Sequence, residues 1–147
     1  MDVGDNNVGV SCEVIVLNGN KVLMGKRGDV FGKGSWAFPG GHLKANERVE
    51  DCAKRELKEE VGIEPGEIKL IGIVNDLLNL PGQERQYIRF VFVVDKFKGE
   101  VKNLEPERCQ SWEWFEKDNL PKPTFVGHVK VLELFLSKGV LTAVITF

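Results

Sequence analysis

The apolar and polar positions change period several times along the chain, and each change marks an element. Val8–Leu17 and Lys21–Lys26 are apolar-rich runs on either side of Asn18-Gly19-Asn20, the pattern of a β-hairpin. Gly28–Ser35 is a glycine-rich loop, and Trp36–Phe38 is a short strand that stops at Pro39-Gly40-Gly41. From Val49 to Val61 the period becomes helical. Glu67–Leu78 and Gln86–Lys96 then predict strands, joined by the loop Asn79–Arg85 with its Pro81-Gly82. Cys109–Phe115 predicts another short strand. Thr124–Ser137 predicts a second helix with Val126, Val129, Leu132, Leu134 and Phe135 as apolar positions. The tail Val140–Phe147 is apolar and β-prone, suited either to cover a sheet edge or to contact a second subunit in a homodimer. Strands interleaved with two helices predict a layered α/β fold with a mixed sheet.

The helix at 49–61 is unusual in where its acids fall. At about 100° per residue, with Ala53 as zero, Val49 lies near −40°, Cys52 near −100°, Leu57 near +40° and Val61 near +80°. That is the apolar stripe. On the same scale Glu60 falls at about −20° and Glu56 at about −60°, both inside the stripe, with Glu59 at its edge. A helix built only to pack would carry apolar residues at 56 and 60. Carboxylates crowded at a core boundary repel one another and resist desolvation. A divalent cation resolves both problems, and carboxylate oxygens completed by water and phosphate suit Mg²⁺ or Mn²⁺. Arg55 stands one turn before Glu59 and is placed to pair with it.

Composition narrows the picture. The chain's 147 residues predict one domain, 1–147, large enough to bury a core. A net charge of −2 gives no basic footprint for nucleic acid. Cys12, Cys52 and Cys109 form no C-x-x-C pair, which argues against a disulfide framework or a structural zinc. No apolar run approaches the ~18 residues of a membrane span and no signal pattern opens the chain, so no membrane partner is expected and the cytoplasm is the default.

Gly41–Ile63, GHLKANERVEDCAKRELKEEVGI, fills every fixed position of G-x5-E-x7-R-E-L-x-E-E-x-G-I, through Glu47, Arg55, Glu56, Glu59, Glu60 and Gly62. It resembles the Nudix box. The lead-in Trp36–Leu43 is similar to the sequence before the box in MutT-like Nudix hydrolases. Val22–Arg27 resembles the family's second strand, and Glu105-Pro106-Glu107 through Trp114 resembles the late region of triphosphate-cleaving members. The resemblance implies a Nudix α/β/α sandwich with a mixed β-sheet. It also implies metal-dependent hydrolysis of a small nucleotide or other diphosphate substrate. Glu56 and Glu60 become the main metal ligands, and Glu59 either a third ligand or the general base, with Arg55 holding the acids. Glu107, or alternatively Glu105, supplies a fourth acid. Arg27 meets the phosphates, Gly40 and Gly41 allow close backbone approach, and Phe38 and Phe125 offer an apolar slot for the base. One of Trp112 and Trp114 packs inward and the other supports the slot. Lys44-Ala45-Asn46 and Thr124-Phe125-Val126 depart from the subgroup's usual residues. Nucleoside triphosphates, oxidised purine ones foremost, are the expected substrates. Nucleotide sugars, dinucleotides and isoprenyl diphosphates come second, and a non-catalytic nucleotide-binding module third.

Overall fold

The computed structural model describes residues 8–80, 83–137 and 145–146. In chain order the strands are β1 (Val8–Asn18), β2 (Lys21–Arg27), β3 (Trp36–Ala37), β4 (Gly40–His42), β5 (Glu64–Pro65), β6 (Lys69–Leu80), β7 (Gln83–Val94), β8 (Phe97–Lys98), β9 (Cys109–Glu116) and β10 (Ile145–Thr146). Helix α1 spans Val49–Val61, and a 3-10 turn at Val126–His128 leads into α2, Val129–Leu136.

The main sheet runs β10-β6-β7-β1-β2-β3, with β4 also on β1 and β9 on β2. It is mixed: β1 lies parallel to β7, and β6 and β7 are antiparallel. Strand alternation sends successive residues to opposite faces. Cys12, Val14 and Val16 of β1 pack with Cys52, Ala53, Leu57 and Val61 of α1. Ile15, between them in sequence, packs with Val131 and Leu134 of α2 on the other face. The architecture is therefore the expected α/β/α sandwich. No helix among the described residues is long and apolar enough to cross a membrane.

Helix α1 has the predicted bounds, and its buried residues are those of the predicted stripe. Gly62 ends it at φ 73°, a left-handed conformation that glycine adopts at little cost, with its N–H bonded to the carbonyls of Leu57 and Lys58. Three expectations are corrected. Pro39-Gly40-Gly41, read as the end of a strand, instead leads into a new one: Gly40–His42 pairs with Ser11–Glu13 of β1. The expected loop 79–85 is mostly strand: the β6–β7 ladder continues to Leu80 opposite Gln83. The second helix starts later than Thr124, since Thr124 bridges to Trp36 and the Phe125 N–H bonds the Trp36 carbonyl. Of the tail, Ile145–Thr146 pairs with Ile73–Val74 at the sheet edge, and the rest of 140–147 lies outside the described residues.

Leu57 is fully buried between α1 and β1. Leu57→Ala should cost about 2–5 kcal/mol, read as a lower urea midpoint at unchanged slope.

Candidate functional site

One cleft of about 520 Å³ runs along the sheet. Its acidic end is built by the approach to α1. Gly40 leaves no room for a side chain, because a Cβ there would strike the Cys12 carbonyl. At Gly41 a Cβ would occupy the place of the Glu56 carboxylate. The two glycines thus let acids rising from α1 reach past β4 to the cleft.

Arg55 organises this end. Its Nε and Nη2 donate to the two oxygens of Glu47 at 2.7 and 3.0 Å. Its Nη1 donates to Glu56 at 2.8 Å and Glu59 at 3.2 Å, and Nη2 also reaches the His42 carbonyl at 3.0 Å. Glu47 takes the Lys44 N–H as well. Arg55 first, and then the Lys44 N–H, holds the Glu47 carboxyl down at about 2.

Glu60 lies outside this network. Its Oε2 accepts the Gly40 N–H at 3.4 Å. Burial, then the neighbouring charge of Glu56, pushes its carboxyl well above the usual range, and Glu105 adds to the rise. Glu56, Glu60 and Glu105 all line the cleft.

Not every expected site residue is there. Glu59 is half exposed, paired to Arg55, and outside the cleft lining. Glu107 is exposed and also outside it, contributing its backbone carbonyl to the Asp29 N–H. Of the two candidates for a fourth acid, Glu105 lines the cleft and acts electrostatically on Glu60, and Glu107 does not line it. Among the described residues no three potential ligands converge into a ready-made metal cage. Arg55 draws Glu56 and Glu59 to itself instead. The donor set still fits a hard cation: Glu56 and Glu60 are crowded, and among the described residues no basic side chain is bonded to Glu60.

Arg27 lines the cleft, its guanidinium 3.9 Å from the centre of the Phe125 ring and its Nε bonded to the Phe31 carbonyl. Burial, then Arg108, weakens its hold on its proton, and Glu60 opposes them. Phe38 and Phe125 also line the cleft and are buried. Trp112 and Trp114 share one face of β9, and both pack toward the α1 core. Trp112 alone reaches the cleft, while Trp114 stacks on Phe97.

The pattern of apolar runs did not single out the other end of the cleft. There Glu13, Arg89 and His128 are buried on the cleft wall beside Ser11. Arg89 donates to Glu13 at 3.2 Å and to Asp76 at 3.1 Å. His128 Nδ1 accepts the Phe38 N–H at 3.1 Å, which leaves the proton on Nε2 to face Glu13 at 3.3 Å. Burial holds His128 neutral by pushing its pKa down. A signal was present: Glu13 and Arg89 are charges set inside strongly apolar strands.

The NUDIX domain family model matches residues 8–135, and the chain belongs to the Nudix family. It is a hydrolase of phosphoric anhydride bonds in diphosphate-containing substrates. It is 33% identical over 127 residues to an ADP-ribose pyrophosphatase of Methanocaldococcus jannaschii, covering 86% of this chain and 72% of that one. It is 32% identical over 108 residues to an oxidized purine nucleoside triphosphate hydrolase of Danio rerio, covering 74% and 66%. A MutT NUDIX hydrolase from Burkholderia pseudomallei superposes with a TM-score of 0.79 at 28% identity, covering 92% of this chain and 99% of that one.

Two outcomes follow from this geometry. Gly41→Ala should displace the Glu56 carboxylate and cut turnover by at least tenfold while the protein stays folded, checked by kinetics and circular dichroism. The lowered pKa of Glu47 means that its pairing stabilises the fold above about 4.5 and that this stability is lost as pH falls through about 2. Thermal melts of wild type and Glu47→Gln should therefore differ above pH 4.5 and converge toward pH 2.

Proposed function

We propose that this chain is a Mg²⁺- or Mn²⁺-dependent pyrophosphohydrolase of nucleoside triphosphates, oxidised or otherwise modified purine nucleotides foremost. Its products are the nucleoside monophosphate and pyrophosphate. The observation that carries this reading is the crowding of Glu56, Glu60 and Glu105 at one end of a cleft whose other end is aromatic and polar. Nudix hydrolases generally use a divalent metal.

Glu56 and Glu60 would hold the ion, with Glu105 facing them from the turn before β9. Bound there, it would neutralise phosphate charge and lower the pKa of an attacking water. Arg27, set between Glu60 and Phe125, meets the phosphates. Arg55 fixes the position of Glu56 and steers Glu59. Glu59 stands at the edge of the acid cluster, bonded to Arg55 through one oxygen. The Phe125 ring, flanked by Phe31 and His128, forms a wall for the base.

A second reading, hydrolysis of a nucleotide sugar or dinucleotide, is favoured by the similarity to an ADP-ribose pyrophosphatase. An isoprenyl diphosphate fits poorly, because its tail would desolvate the charged wall formed by Glu13 and Arg89.

The test is a hydrolysis screen with product identification across triphosphates, diphosphates, nucleotide sugars and dinucleotides. Triphosphates should be cleaved best, releasing pyrophosphate. A nucleotide sugar cleaved ahead of every triphosphate would favour the second reading. Glu60→Gln should lose at least tenfold in turnover and bind Mg²⁺ more weakly by calorimetry. A raised carboxyl pKa costs the folded state stability as pH rises above the ordinary value of 4.5. The metal-free variant should therefore melt above wild type at neutral pH.

A further inference from the structure

The charged wall at the far end of the cleft is more than a support. Its members are almost wholly buried, on strands that the sandwich fixes: Ser11 and Glu13 on β1, Asp76 on β6, Arg89 on β7, with His128 from the turn before α2. The donors and acceptors can be followed one by one. Arg89 Nε is used by Asp76, and Nη1 by Glu13 and Ser11. Arg89 Nη2 has no hydrogen-bond partner among the described residues. A Cβ at position 127 would lie 2.9 Å from it, and glycine there leaves it uncovered. Glu13 Oε1 receives Arg89 and His128, whereas Oε2 receives only the Ser11 hydroxyl. One donor, Arg89 Nη2, and one lightly used acceptor, Glu13 Oε2, are left over within a single bonded cluster whose members Ser11, Glu13, Arg89 and His128 line the cleft.

What they would take follows from charge. Arg89 is already paired with two carboxylates, Glu13 and Asp76, so this end of the cleft offers no unpaired positive charge to a phosphate. The ligand here is a neutral group that offers an acceptor next to a donor. Guanidinium prefers the carbonyl of an oxopurine, while amide side chains serve adenine, and among the described residues no Asn or Gln lines the cleft. We propose that Arg89 Nη2 and Glu13 Oε2 read the carbonyl and adjacent ring N–H of a 6-oxopurine base, with His128 and Asp76 as positioning residues. This rests on the nucleotide reading above and names its specificity determinant. It also explains two buried charges that the hydrolytic chemistry does not use. A site built of polar groups discriminates by what it leaves unpaired: an aminopurine sets its amino group against Arg89 and strands both partners.

Inosine and adenosine triphosphates differ only at this edge. Wild-type kcat/KM should favour inosine triphosphate by about tenfold or more, with the difference mainly in KM. Glu13→Gln keeps the shape but presents an amide. Arg89→Lys keeps the charge but cannot serve Glu13, Asp76 and a base together. Both variants, shown to be folded by thermal melts, should move the inosine-to-adenosine ratio toward one. Calorimetry with inosine and adenosine monophosphates, without metal, reads the same edge independently of hydrolysis. A wild-type preference near one in both assays overturns the inference, as does a preference unchanged in both folded variants. If no triphosphate is cleaved yet inosine monophosphate binds better than adenosine monophosphate, the hydrolytic reading fails and the base-reading edge stands.

Discussion

Arg55 is the constraint on which the site depends. A single guanidinium binds both oxygens of Glu47, one each of Glu56 and Glu59, and the carbonyl of His42. It therefore fastens the loop before α1 to the middle of the helix and offsets the repulsion among the acids it touches. The planar fork matters here, because an ammonium has too few directions to serve these partners together. Glu60 alone is left out. The charge imbalance of the helix is thus concentrated at one carboxylate facing the cleft, opposite Glu56 and Glu105.

A second constraint comes from the sheet. Alternation along β1 divides the chain's chemistry between two faces: Cys12, Val14 and Val16 serve α1, while Ser11, Glu13 and Ile15 face the other side. The acids belong to α1 on the first face and the polar wall to the second. Both open into one cleft beside the short strand β4, where glycine at 41 leaves room for the Glu56 carboxylate. That is why the box begins with glycine and why its backbone pairs with β1 rather than turning freely.

Much of this was legible in the sequence. The bounds of α1, its stripe and its αL end follow from helical period and a glycine. The placement of Glu56 and Glu60 at a core boundary follows from the same angles, and both line the cleft. Period says nothing about direction beyond the helix. Glu59 sits at the stripe's edge, half exposed and paired with Arg55. Glu105 and Glu107 are two residues apart in a loop, where no period decides which faces inward. Arg89 and Asp76 belong to strands 13 residues apart and meet only through the β6–β7 ladder, and His128 comes from 115 residues beyond Glu13. Such partners are set by sheet register, which a one-dimensional pattern does not carry.

Glu13 and Glu60 show how neighbours, not burial, decide what a carboxylate is for. Burial pushes both toward the neutral form. At Glu13 the bond from His128, the charge of Arg89 and the Ser11 hydroxyl overcome that push, and the group stays ionised below its usual range. At Glu60 the nearest charges are other acids, so burial and repulsion add. Glu13 therefore belongs to a nearly complete array whose last free valences suit a neutral hydrogen-bonding edge. Glu60 belongs to an incomplete one that must take up a proton or a cation. One cleft thus carries two acidic sites of opposite demand. The proposed substrate, with a charged, metal-chelating end and a neutral, edge-presenting end, would satisfy both at once.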